Sequence, residues 1–195
     1  MAIMALLMGI MIPAFTNVGK STSLNSAGNQ VVNLLNLARS HAMARNVMTA
    51  VILLTDDSAV PGTGHRAVVV MELAPKPDGS ALTPADWKQV SRVEELSQGI
   101  VVEPGTAFAS LESGSNQPLP AALPAIKFRG KDISIDSHPR VVFMPNGSLL
   151  DGQARKARLS QGYIEGGTFR QTGPTNNYYE VTVMAASGRT KVERP

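Results

Sequence analysis

The first fifteen residues, MAIMALLMGIMIPAF from Met1 to Phe15, carry no charge and almost no polarity, and the character of the chain changes at Thr16 and Asn17. Leaving a large apolar side chain in water costs about 1.5–3 kcal/mol, so this run needs a cover. Met1, Ile3, Leu6, Leu7, Ile10, Ile12, Pro13 and Phe15 are the residues expected to be buried in a membrane or in a filament core. A membrane-crossing helix takes about 20 apolar residues, so the run reads as what remains of a longer span. A secretory signal would place basic residues ahead of the apolar stretch and small residues at a cleavage point behind it; nothing basic precedes this one, and Pro13 is badly placed. A buried core helix is the competing explanation, but helices apolar all the way round are unusual at a chain terminus.

The next stretch, TNVGKSTSLNSAGNQ (residues 16–30), is rich in Ser, Thr, Asn and Gly, all poor residues for a helix interior. Any helix here is expected to be weakly held by its own backbone and to fray. From Val31 onward an apolar face forms from Val31, Leu34, Leu35, Ala38 and Ala42, opposite a polar face of Asn29, Asn33, Asn36 and Ser40. This spacing predicts an amphipathic helix ending near Asn46, with its apolar stripe packed on a sheet. The chain thus divides into an apolar helix segment at residues 1–15, a polar-to-amphipathic continuation at 16–46 and a β-rich head at 47–195.

Val47 to Thr55 and Arg66 to Leu73 are β-rich runs separated by DDSAVPGTGH, whose Pro61, Gly62 and Gly64 supply turn chemistry, so they predict a long-looped antiparallel hairpin. Further strands are expected at Gln89–Leu96, Gly99–Val102, Ala125–Phe128, Arg140–Met144, Ser148–Leu150, Tyr163–Gln171, Tyr178–Ala185 and Thr190–Val192. Ala74–Ala85 and Ser110–Pro124 read as surface excursions, because strand signals resume directly after each. The expected class is α+β, with a long N-terminal helix, apolar then amphipathic, packed on a mainly antiparallel sheet.

Composition narrows the chemistry. The chain has 195 residues and 43% hydrophobic side chains, enough for one folded head with an appendage. It has no cysteine, which removes disulfides, thiolate metal ligands and a cysteine nucleophile. Net charge is +3 but uneven: residues 1–119 hold 7 Lys/Arg against 9 Asp/Glu, and residues 120–195 hold 11 against 6. Such a basic end can attract polyanions, although a modest excess on a surface is usually solvated charge.

An apolar helix with a proline and then Ala-Phe, placed just before a polar amphipathic stretch, resembles the N-terminal region of type IV pilins and pseudopilins. The string NLLNLARSHAMARNVMTAVILL is similar to the segment before the first strand in H-type minor pseudopilins of type II secretion and T-type fimbrial minor pilins. Ala38, Arg39, Ser40, Ala42, Arg45 and Asn46 match its spacing. VVFMPNGS, from Val141 to Ser148, resembles a Phe-x-Pro-x-Gly-Ser strand and turn of the same proteins, and VTVMAASGRTK, from Val181 to Lys191, resembles their last strand and Gly-Arg turn. The family's basic leader, cleavage-point glycine and Phe-Thr-Leu-Ile-Glu-like segment are absent, so the sequence is expected to begin after the first turns of the mature helix.

The residues explain themselves structurally as well. Ala38 and Ala42 permit close approach of helix to sheet, Arg39 and Arg45 can bridge carbonyls, and Pro145-Asn146-Gly147 is a turn sequence with Asn-Gly suited to positive φ.

Signals for chemistry are weak. Gly19-Lys20-Ser21-Thr22 mimics the end of a phosphate loop, but Ala14 stands where its first glycine belongs, and an apolar helix precedes it instead of a strand. His41, His65 and His138 are far apart in sequence with no HExxH pattern. Asp56 and Asp57 could ligate calcium from a loop, yet adjacent acids at a strand end are usually solvated. No GxSxG elbow occurs. The sequence therefore nominates no catalytic, metal or cofactor residue, and no enzyme is expected.

The resemblance implies a fold of the pilin kind and a non-enzymatic assembly subunit of a type II secretion pseudopilus or type IV pilus. Its expected location is a single-pass position in the bacterial inner membrane, with the head in the periplasm, followed by incorporation into the filament. The implied partners are other pilins or pseudopilins, an inner-membrane assembly platform, and a prepilin peptidase acting on the full-length precursor. A second reading is a DNA-binding minor pilin for DNA uptake, because some T-type relatives carry a basic terminal Gly-Arg-x-Arg motif. This chain has Gly188-Arg189-Thr190-Lys191 followed by Arg194, making Arg189, Lys191 and Arg194 the candidate DNA-binding residues. Lysine neutralises phosphate but lacks the planar fork of arginine. A third class, an anchored periplasmic hydrolase, would require a polar cleft.

Overall fold

The computed structural model describes residues 2–55, 62, 64–73, 75–76, 79–110 and 119–195, with the side chains of residues 2–20 and 110 outside that description. One helix, α1 (Ala2–Arg45), is followed by β1 (Met48–Leu54) and β2 (Ala67–Leu73). The short strands β3 (Trp87–Gln89), β4 (Glu94–Glu95), β5 (Ile100–Val102) and β6 (Ala109–Ser110) come next, then β7 (Ala125–Phe128), β8 (Lys131–Ser134) and β9 (Arg140–Phe143). β10 (Arg155–Glu165), β11 (Thr168–Gln171), β12 (Tyr178–Val183) and β13 (Thr190–Glu193) complete the chain.

Every strand pairing among the described residues is antiparallel. The first sheet runs β3-β2-β1-β9, with β4 also on β2; the second is built on β10, which pairs with β5, β6, β11 and β12, and β12 carries β13 as an edge strand. A separate hairpin joins β7 to β8. The chain is therefore α+β, with one long helix packed on antiparallel sheets.

The first sheet is covered on both faces, which explains why β1 and β2 are almost continuously apolar. Val51, Leu53, Val68 and Val70 face α1, whereas Ala50, Ile52, Val69 and Met71 face Trp87, Ile126, Phe128 and Ile133 on the other side. The second sheet contributes Ala157, Leu159, Tyr179, Val181 and Val183 to the same cluster as α1. The helix thus lies against both sheets.

Several sequence expectations change. The run at Gln89–Leu96 breaks into β3 and β4, and Ser148–Leu150 forms only an isolated bridge, between Leu149 and Phe143. The expected single strand at Tyr163–Gln171 is the end of one strand, a turn at Gly166 and Gly167 with φ of 55° and 76°, and a second strand. β8 and most of β10 had no strong apolar signal. In β10 only Ala157 and Leu159 reach the α1 cluster, while Lys156 and Arg158 face Glu180 across the sheet. In the turn after β9 only Gly147 takes positive φ, at 82°, so Asn146 does not use the left-handed freedom expected of it.

Candidate functional site

No described helix is long and apolar enough to cross a membrane. Met1 lies outside the described residues, as do the side chains of Ile3, Leu6, Leu7, Ile10, Ile12, Pro13 and Phe15. The backbone is one helix from Ala2 through the Ser- and Asn-rich stretch to Arg45, without a break where fraying was expected. Tertiary packing overrides poor propensity: Leu24, Ala27 and Gly28 are buried, so contact with the head begins inside that stretch. Val31, Leu34, Leu35, Ala38 and Ala42 continue the same stripe into the core.

Gly28 marks a close approach of the helix to the second sheet. A Cβ there would stand 2.4 Å from the Tyr179 ring, and the Tyr179 hydroxyl donates to Asn29 Oδ1 at 2.9 Å. Neither Gly28 nor Tyr179 was singled out by sequence, because a lone glycine in a polar stretch signals helix weakness first and packing second.

The helix ends in a left-handed cap. Asn46 has φ 55°, and the Val47 N–H donates to the Ala42 carbonyl at 3.2 Å, the bond pattern that satisfies the last carbonyls of a helix. Near this end His41 Nε2 donates to Glu72 Oε2 at 2.5 Å, with Arg45 Nε 3.9 Å from the same oxygen.

The three strings that carried the family resemblance meet at this end of the molecule. Arg39 Nε donates to the Ser187 carbonyl at 2.7 Å. A Cβ on Gly147 would stand 2.8 Å from Met43 Sδ, and one on Gly188 would stand 2.1 Å from the Gly147 carbonyl oxygen and 3.1 Å from the Phe143 ring. Gly188 has φ 61°, so both space and dihedral require glycine there. Residues separated by more than a hundred positions thus form one junction between helix, turn and last hairpin.

The basic C-terminal residues do not converge on one ligand site. Lys191 Nζ lies 2.6 Å from Glu193, Arg194 Nη2 donates to Ser21 Oγ at 2.8 Å, and Arg189 is exposed, with its backbone N–H donating to Ser187 Oγ at 3.3 Å. On the sheet beside them Glu180 joins Lys156 at 2.7 Å and Arg158 at 2.9 Å, and Arg158 lies 4.1 Å over the Tyr178 ring. Burial raises the Glu180 pKa, but bonds to Lys156 and Arg158 outweigh it and hold the carboxyl below its usual range.

Among the described residues no three of His, Asp and Glu are grouped to hold a metal ion, although His65 lies near enough to His138 to feel its charge. His138 Nδ1 accepts from the backbone N–H of Thr55 at 3.1 Å and lies 2.8 Å from its hydroxyl, whereas buried His65 has no hydrogen-bond partner for Nδ1 among the described residues. Burial lowers the His65 pKa first and the charge of His138 lowers it further, against a raising bond from Val102. Asp56 and Asp57 lie outside the described residues. Ser21, from the phosphate-loop mimic, lies inside α1.

The described surface carries grooves, two of which flank α1 and the end of β10. One, of about 280 Å³, lies between Arg66, Gln98 and the Gly162–Ile164 segment; the other, of about 630 Å³, runs along α1 past Asn29, Gln30, Asn33 and Leu37 to Glu94. Among the described residues neither joins a nucleophile to a base.

The chain is similar to the solved type IV minor pilin FimU of Pseudomonas aeruginosa at 14% identity, over 88% of this chain and 89% of that one, with a TM-score of 0.49. It is similar to the minor pseudopilin EpsH of the type 2 secretion system of Vibrio cholerae at 11% identity, over 89% and 98%, again with a TM-score of 0.49. No protein family and no curated protein matches the chain.

Proposed function

We propose that the chain is a non-enzymatic assembly subunit of a pilus or secretion pseudopilus, with the start of α1 serving as the buried rod and the β-rich part as the exposed head. The observation that carries this reading is a mismatch of lengths. The helix has 44 residues and is therefore about 66 Å long. Among the residues whose side chains are described, its core contacts with the head run from Leu24 to Ala42, about 27 Å of that length. Ahead of them the sequence supplies the uncharged Met1–Phe15 segment, whose oily side chains require an apolar environment.

Under this reading the segment rests in the inner membrane before assembly, with the head in the periplasm, and afterwards packs among equivalent helices of neighbouring subunits. A head-to-tail contact repeated without closure yields an open helical filament. The partners are then other pilins or pseudopilins, the membrane platform that extrudes them and the peptidase that trims the precursor. The meeting of the three family-like strings at one junction supports the reading, since each string is then part of the same structural device.

Because the chain has no cysteine, single cysteines at Leu7 or Ile10 report neighbours without background. In cells carrying the filament system, oxidative cross-links from these positions to other subunits are expected in membranes and sheared filaments. Absence of cross-links, together with undiminished filament entry by a variant lacking residues 1–20, overturns the proposal.

A further inference from the structure

The turn between β9 and Leu149 contains an Asn-Gly pair, with Asn146 exposed and Gly147 buried. Asparagine before glycine is chemically labile, because glycine offers no side chain to keep its backbone nitrogen away from the preceding carboxamide carbon. Here the fold restrains both reacting groups. The Gly147 N–H donates to the Met144 carbonyl at 2.8 Å, holding the proton that attack must release. Asn146 Oδ1 accepts from the Ser148 N–H at 3.0 Å and from the Ser148 hydroxyl at 2.7 Å, which fixes the carboxamide facing Ser148. Gly147 is also wedged from outside the turn, by Met43 and Arg39 of α1 on one side and by Gly188 on the other.

We propose that Asn146–Gly147 is a deamidation site kept closed by the docking of α1 and the last hairpin onto this turn, so that its conversion records how often the junction opens. In the open turn the Gly147 nitrogen bonds to Asn146 Cγ, the carboxamide C–N bond breaks, and ammonia leaves with the displaced proton. Water then opens the resulting succinimide at either carbonyl, giving aspartate or isoaspartate, so the net change is water in and ammonia out. Aspartate keeps oxygen acceptors for Ser148 and gains charge-assisted bonds. Isoaspartate adds a methylene to the main chain and displaces Gly147 from the contact with Gly188, where no space exists. The second product is the one that damages the junction.

The experiment follows peptide-mapped mass change at Asn146 in the full chain in detergent, folded and in urea, at mildly alkaline pH. Conversion is expected in urea and is expected to be about tenfold or more slower in the folded chain, as local opening requires. Arg39→Ala should raise the folded rate several-fold and leave the rate in urea unchanged. Ser148→Ala removes only the hydroxyl bond within the turn and should do the same if Arg39→Ala proves too unstable to fold. Equal rates in the folded chain and in urea, no conversion in urea, or a folded rate indifferent to the folded variants each overturns the proposal.

Discussion

Arg39 and Ser187 are 148 positions apart, yet the guanidinium Nε of one donates to the carbonyl of the other at 2.7 Å. This bond ties the penultimate turn of α1 to the last hairpin. Arg39→Ala is expected to cost about 1.5 kcal/mol, the lower part of the range for a hydrogen bond to a charged group, because the site is partly solvated. Urea unfolding of the variant checks this, and Arg39→Lys should recover little, since a lysine amine does not reproduce the guanidinium geometry.

Gly28→Ala sets two effects against each other. Alanine improves helix propensity by about 1 kcal/mol, but its methyl would stand 2.4 Å from the Tyr179 ring and must push the helix off the sheet. Overpacking costs about 1–3 kcal/mol, and so short a separation places the cost in the upper part of that range. Net destabilisation is expected in thermal unfolding, with Gly28→Ala/Tyr179→Leu recovering most of it.

Stability should fall on acidification in two windows. His65 has a folded pKa below its ordinary 6.5 because it is buried. Its contribution is full above pH 6.5 and is lost as pH falls toward the folded value, because the unfolded chain takes up the proton first. Asp86 is held at about 2 by the Thr83 backbone N–H and by Lys76, and Glu180 is also lowered from its ordinary 4.5, so both contribute above the ordinary carboxylate range and lose that contribution at lower pH. Melting temperature against pH tests the signs. His65→Asn, which tolerates the local φ of 60°, should flatten the upper window and leave the lower one in place.

The basic terminal strand makes an opposite kind of prediction. Lys191 is paired with Glu193, and Arg194 is tied to Ser21. Binding of duplex DNA to the head, titrated across salt concentrations, is therefore expected to show no steep salt dependence, and Arg189→Ala should leave it unchanged. A steep salt slope that falls with Arg189→Ala would instead favour the DNA-uptake reading.

The legible parts of the sequence were those where local chemistry and tertiary environment agree. Val31, Leu34 and Leu35 fall on one helical stripe, and the neighbouring Leu37, off that stripe, is 46% exposed whereas Leu35 is fully buried. β1 and β2 were visible because burial on both faces leaves few polar residues to blur them. β10 was obscured: its face toward α1 begins with the buried Arg155, and its opposite face carries Lys156 and Arg158 bonded to Glu180. A charge satisfied by a partner across the sheet is indistinguishable, in one sequence, from a charge in a loop.

The junction was legible only as fragments. Ala-Arg-Ser, Phe-x-Pro-x-Gly-Ser and Gly-Arg each stood out by spacing, but nothing in the residues between them revealed that Gly147 and Gly188 touch. That contact depends on the register of β12 against β13 and on the bridge from Phe143 to Leu149. Such information is non-local, and it is the same reason Gly28 passed unnoticed beside Tyr179.

Sheet β3-β2-β1-β9 separates two interiors, and the only indole of the chain, Trp87, belongs to the one away from α1, where its Nε1–H donates to the Ala121 carbonyl at 3.2 Å. Tryptophan fluorescence consequently watches the hairpin side of the partition. A helix leaving its seat would be silent in indole emission while the far compartment stays intact, and a change in that emission marks loss of the partition itself.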